Sequence, residues 1–198
     1  MAKKKSNRST REKVLFAAKE LFLGTGYRET SLDDVAASAG VTKPTVYSHF
    51  GSKQGLLVEL VREHTAANAA SITTVLQGSG DVESDLLRFG RQFLGRLMTK
   101  EESRWRRLAI AESVENPEIG EAIHAAGPAT VLKAMAVFLR QETLQGRLSC
   151  DDPDLAAEQF MGMLIGMVPI RDMSGKPLPG KAKQQRMCEA AVKTFLAA

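Results

Sequence analysis

Cysteine is scarce, with only Cys150 and Cys188 in 198 residues. The two lie far apart, without a CxxC pair or a neighbouring histidine cluster, so neither a disulfide scaffold nor a zinc site is suggested. Strand signals are nearly missing, because valines and isoleucines fall at helical spacing and alternating apolar and polar runs do not occur. No stretch reads as long and apolar enough to span a membrane, and no apolar run of signal-peptide length follows the basic start, Met1 to Arg8. A glycine-rich phosphate loop is also missing, and His49, His64 and His124 have no Ser, Cys or carboxylate partner at a meaningful spacing. The expectation is a cytoplasmic, all-α protein that is not an enzyme, with no membrane partner, no metal and no other cofactor.

A large excess of one charge is missing too, since the net charge is only +4. It is unevenly placed, however. Residues 1 to 64 carry 11 Lys and Arg against 7 Asp and Glu, whereas residues 65 to 198 are balanced at 16 of each. This asymmetry points to a polyanion-binding N-terminal part and a neutral C-terminal part.

Helix punctuation is dense in the first third. Ser9-Thr10-Arg11-Glu12 has the spacing of a capping box, in which the serine hydroxyl accepts an orphan amide and the glutamate bonds back. Val14, Leu15, Ala18, Leu21 and Phe22 give that helix its buried stripe, and Gly24 and Gly26 end it. Ser31-Leu32-Asp33-Asp34 opens a second, short helix through Ala39, closed by Gly40. Thr42 is placed to cap a third helix, and Pro44 is tolerated in its first turn because amides there lack intrahelical partners. Gly51-Ser52 then breaks and recaps the chain into a long fourth helix, where Gly55 weakens the first turn. Further helices are expected near Val82 to Leu97 and Glu102 to Ser113, then, past a short segment around Glu118 to His124, from Val131 to before Gly146, after Asp151-Asp152-Pro153, and after the loop Ser174 to Gly180.

Two short helices joined by a tight glycine turn, with small Ala36 at their approach and Val41 and Val46 facing inward, describe a helix-turn-helix. The exposed residues of its second helix are Lys43, Thr45, Tyr47 and Ser48, which offer donors, a methyl group and a phenol to base edges and phosphates. The run Gly26-Tyr27-Arg28-Glu29-Thr30-Ser31-Leu32-Asp33-Asp34-Val35-Ala36, continuing through Ala39-Gly40-Val41-Thr42-Lys43-Pro44-Thr45-Val46-Tyr47-Ser48-His49-Phe50-Gly51-Ser52-Lys53, resembles the TetR repressor family. The resemblance covers roughly residues 10 to 60 and departs at Gln54-Gly55, where the family commonly has acidic or larger residues.

It implies a homodimer in which each recognition helix occupies one half-site of a double-stranded operator. Tyr47, His49 and Lys53 are then expected on phosphates, Thr30 or Ser31 on the backbone, and Lys43 and Thr45 on bases. With Thr42, Pro44 and Ser48 these make up the candidate DNA-binding set. The run Lys3-Lys4-Lys5 would add phosphate contacts from the tail.

Arg104-Trp105-Arg106-Arg107-Leu108-Ala109-Ile110-Ala111-Glu112, Asn116-Pro117-Glu118-Ile119-Gly120 and Ala126-Gly127-Pro128 resemble the C-terminal domain of AefR-like members. That resemblance implies a small-molecule effector cavity among the middle helices. Its candidate lining is Phe93, Leu97, Met98, Trp105, Leu108, Met135, Phe138, Met161 and Met163, suited to an apolar or amphipathic molecule. A symmetric operator requires a symmetric protein, and the last two helices are the natural isologous interface. Its candidates are Phe160, Gly162, Gly166, Met167, Met187, Ala191 and Phe195.

The expected organisation is a basic tail at 1–8, a three-helix DNA-binding domain at 9–54, and an effector-binding and dimerisation domain at 55–198, about nine helices in all. The expected function is a repressor that releases its operator on binding effector, the fourth helix shifting the recognition helices out of half-site spacing. The alternative is a DNA-binding architectural or protein-interaction protein of the same fold without a small effector.

Overall fold

Short polar side chains and glycines set the helix boundaries in the computed structural model, which describes residues 9–197. The tail with Lys3, Lys4 and Lys5 lies outside the described residues. Eleven helices follow in order: α1 Thr10–Gly24, α2 Leu32–Ala39, α3 Lys43–Phe50, α4 Lys53–Thr73, α5 Val82–Leu97, α6 Lys100–Ser113, α7 Pro117–Ala126, α8 Pro128–Leu144, α9 Pro153–Ile165, α10 Val168–Met173 and α11 Lys181–Leu196. Both expected capping boxes are present, Ser9 with Glu12 and Ser31 with Asp34.

The helix count exceeds nine because the expected short segment at 118–124 is a helix, α7, and because α9 does not run on to residue 173. Gly166, at φ +50° and ψ −130°, ends it, and α10 restarts two residues later. An L side chain rarely adopts that φ, so the glycine is there for the break. Gly24 also differs from expectation, since it stays in the last turn of α1 while Gly26, at φ +119°, makes the turn. Gly55 has a steric reason at the start of α4. A Cβ at that position would fall 2.2 Å from the Phe50 carbonyl oxygen, so the start of α4 is glycine where the chain folds back on itself.

The chain forms two compact units. Among the described residues the first comprises 9–64 with 108–122, and the second 65–107 with 123–197. The first unit therefore extends beyond residue 54 and takes in a later segment, which the sequence boundaries 9–54 and 55–198 do not anticipate. Its core is Val14, Ala18, Phe22, Val35, Val46, Leu56, Leu57 and Ile119, all buried. Arg11 ties α1 to α4 through Glu59 at 2.8 Å and a close pair with Glu63.

The second unit packs α8 on α9 and α5 on α11 around Leu86, Phe89, Phe138, Leu139, Phe160 and Leu164. Phe160 sits at its centre, with ring centroids 6.3 Å from Phe89 and 5.1 Å from Phe195. One further difference concerns the membrane reading. The 28-residue stretch Pro117–Leu144 is long and apolar enough by composition to cross a membrane. It is divided between α7 and α8 at Gly127, and α8 buries Val131, Met135, Phe138 and Leu139 in the second core.

Candidate nucleic-acid interface

The turn between α2 and α3 follows from one glycine. Gly40 takes φ +68° and ψ +38°, and the Val41 amide donates back to the Ala36 carbonyl at 3.0 Å, closing the end of α2. Ala36 is small and buried where the helices meet, and Val46 and Phe50 turn the apolar side of α3 inward. Lys43, Pro44, Tyr47, Ser48 and His49 consequently lie exposed, with Tyr47 48% accessible, and Thr45 is partly exposed. A short helix with its apolar side anchored and its polar side presented is what a major groove admits.

Most candidate DNA residues share this surface, with two corrections. Thr30 is buried at 3% and its hydroxyl donates to the Gly26 carbonyl at 2.7 Å, so its side chain serves the turn after α1 and is not presented on this surface. Thr42 makes no side-chain cap to α3, because its hydroxyl pairs with that of Thr45 at 2.8 Å. Ser31 is exposed, but its hydroxyl donates to Asp34 at 2.6 Å and accepts from the Asp34 amide at 3.1 Å. Lys53 is held at the start of α4, its ammonium 4.4 Å from the Tyr27 ring centroid and 3.3 Å from the Arg28 carbonyl oxygen.

The candidate effector lining resolves differently. Phe93, Met98, Met135, Phe138 and Met161 are buried in the packed core of the second unit, with Leu97 and Met163 against it. Trp105 is buried and belongs to the second unit but not to this core, whereas Leu108 belongs to the first unit. A groove of about 640 Å³ lies elsewhere on the second unit, lined by Leu148, Ser149, Cys150, Ala156, Gln159, Gly162, Met163, Thr194 and Phe195. Of the expected effector residues it holds Met163 alone. Gly162 and Phe195, expected at the dimer interface, line it too.

The interface candidates also divide. Phe160 and Ala191 are interior, at 0% and 5% exposure, and drop out because their stripes face the unit's own core. Met167 is 65% exposed, Gly162 and Gly166 are exposed, and Met187 and Phe195 are partly buried. Among the described residues, and apart from the adjoining backbone, nothing lies within 4 Å of a Cβ built on Gly162 or Gly166, so neither glycine is required by packing against another element of the protomer.

Two groups of charged residues escaped the sequence reading. Lys43 Nζ pairs with Asp33 Oδ2 at 2.7 Å across the glycine turn, and opposite charges in the first turns of α2 and α3 were the available signal. Asp172, 1% exposed, accepts from Ser103 at 2.6 Å and from Arg106 Nε at 2.8 Å, with Arg107 at 3.2 Å. Those partners are 65 to 69 residues away in sequence and no local spacing betrays them.

The first unit is thus a helix-turn-helix module of the DNA-reading kind. Residues 14–60 match the model of the bacterial regulatory proteins of the tetR family, and residues 84–198 match that of the AefR-like transcriptional repressor C-terminal domain. A TetR-family transcriptional regulator from Mesorhizobium loti is 31% identical, with 95% of each chain covered and a TM-score of 0.88. The flavonoid-responsive regulator FrrA is 29% identical over the same shares, with a TM-score of 0.78. The HTH-type transcriptional regulator YvkB of Bacillus subtilis is 28% identical over 162 residues, 80% of this chain and 81% of that protein. The chain belongs to the TetR family of DNA-binding transcriptional regulators, a fold that implies dimerisation.

Proposed function

We propose that this protein is a homodimeric repressor whose paired α3 helices occupy two operator half-sites, and which leaves the operator when its C-terminal helices take up a small apolar or amphipathic molecule. It acts in the cytoplasm as a binding protein rather than a catalyst. The observation that carries the DNA half is α3 itself, with Val46 and Phe50 buried and Lys43, Tyr47, Ser48 and His49 presented together. The likeness of residues 84–198 to a repressor C-terminal domain supports the sign. Met135, Met161 and Met163 supply adaptable packing that can re-form around a guest. FrrA is described as flavonoid-responsive, which makes a flavonoid a rational first probe for this chain.

One observation favours a second reading. Phe93, Met98, Met135, Phe138 and Met161 are packed as core, as expected of a DNA-binding architectural or protein-interaction protein without a small effector.

The test is binding of the purified protein to DNA from upstream of its own gene and to random duplex, across salt concentrations, for wild type, Tyr47→Ala and Lys43→Ala. Tight, salt-sensitive preference for the upstream DNA, lost in both variants, is the expected result. Release by a flavonoid or another amphipathic molecule supports the effector reading. Equal affinity for all DNA favours the architectural one, and no binding by wild type overturns the assignment of α3.

A further inference from the structure

Lys43 is the first residue of α3 and is exposed, yet its charge is paired. Asp33, in the first turn of α2, holds it at 2.7 Å across the turn that Gly40 makes. Both side chains are open to solvent, at 45% for Lys43 and 64% for Asp33, so the pair stands on the surface and not in a core. The neighbouring Asp34 is committed otherwise, bonded to the amide and hydroxyl of Ser31 at 2.8 and 2.6 Å. Asp33 has no such capping duty, since the capping box of α2 is complete without it. An exposed pair of this kind contributes little to stability. A carboxylate on a surface presented to DNA is also unfavourable, because it faces a polyanion.

We infer that Asp33 is a specificity-determining residue: by pairing with Lys43 it withholds that cation from phosphates and fixes its remaining donors for base edges. The inference rests on the DNA-reading assignment of α3. Phosphate attraction is independent of sequence, so a neutralised lysine contributes less to binding random duplex. A hydrogen bond to guanine O6 or N7 depends on where the donor stands, and an ammonium has three protons, of which Asp33 uses one. Holding Nζ against Asp33 thus lowers affinity for wrong DNA more than for the right site, which is discrimination by an opposed charge.

Asp33→Asn removes the charge and keeps the shape. Each phosphate neutralised steepens the log–log salt slope by about 0.9, equivalent to about eightfold in affinity per tenfold dilution of salt. Asp33→Asn is expected to bind random 30-base-pair duplex more tightly by about that factor per subunit at 0.1 M salt, with a slope steeper by about one per subunit. Its preference for the duplex selected by wild type from a random pool falls accordingly. In a Lys43→Ala background the same substitution is expected to give no such gain. Loss of folding cannot imitate this result, because it weakens binding.

An unchanged or weaker affinity for random duplex, or an unchanged slope, overturns the inference. So does a gain that persists in the Lys43→Ala background, which would place Asp33 against the DNA directly. Failure of the parent reading is distinct, since wild type would then select no duplex from the pool.

Discussion

The Arg28 guanidinium donates through Nε to the carboxylate of Glu112 at 3.3 Å, linking the loop after α1 to a helix 84 residues further on. A second donor reaches Glu115 at 3.1 Å. The two acceptors are unlike, for the Glu112 side chain is 7% exposed and that of Glu115 67%. Burial pushes the Tyr27 phenol above its ordinary value, and the Glu112 charge pushes it further, so this carboxylate is felt by its surroundings. A charge taken out of water needs its partner far more than one left in it. Arg28→Ala is therefore expected to lower the Tm measurably, whereas Glu115→Ala stays within about 0.5 kcal/mol of wild type. Thermal unfolding followed by circular dichroism ranks the two. Equal effects would show that burial of Glu112 is irrelevant to the pairing.

Thr30 offers a separation of folding from DNA contact. Its buried hydroxyl closes the turn on the Gly26 carbonyl, so Thr30→Val leaves an acceptor short of its donor and is expected to cost about 1 to 2 kcal/mol. At temperatures well below the Tm, the variant should bind DNA with the wild-type salt slope. A shallower slope would return Thr30 to the contact set.

What the sequence reveals here is what acts over a few residues. Ser9 with Glu12 and Ser31 with Asp34 are three apart, and a capping box needs nothing else. Gly40 marks its own turn, and the inward Val46 follows from helical spacing. Thr42 failed for a comparably local reason, since its hydroxyl had a rival partner in Thr45. The break at Gly166 was masked because the apolar stripe continues from Leu164 to Met167 across it. Periodicity says that Phe160 is on an apolar stripe but not whether the stripe meets its own core or another protomer, and it meets the core. Pairs such as Arg28 with Glu112 and Arg106 with Asp172 depend on the whole fold and leave no local spacing.

Gly90 on α5 shows what close helix packing requires in the second unit. A Cβ there would lie 2.6 Å from Cys188 Sγ and 3.2 Å from Leu164 Cδ2, so α11 and α9 both press against it. Gly90→Ala brings better helix propensity, worth about 1 kcal/mol, against overpacking of about 1 to 3 kcal/mol. Net destabilisation is expected, measured by urea unfolding. Cys188→Ala removes the nearest atom, so the double variant should be more stable than the sum of the two single effects. Strict additivity would mean that the thiol simply swings aside.

Asp172 makes the second unit sensitive to acid. Burial by itself would raise its pKa, but hydrogen bonds from Ser103 and Arg106, the Arg106 charge and a bond from Arg107 outweigh it and hold the carboxyl below its ordinary value. A carboxylate whose folded pKa is depressed adds stability above its unfolded pKa, about 3.9, and that stability is lost as pH falls through the lower folded value. Asp172→Asn deletes the charge and leaves Arg106, 13% exposed, without its counter-ion. Breaking a buried pair costs about 3 to 5 kcal/mol, and because Arg107 is 50% exposed the lower end, about 3 kcal/mol, is expected at pH 7. The difference between variant and wild type should then shrink when urea unfolding is repeated at about pH 3, where part of the linkage is already gone. A difference of the same size at both pH values would assign the loss to the hydrogen-bond geometry of Asp172 and not to its charge.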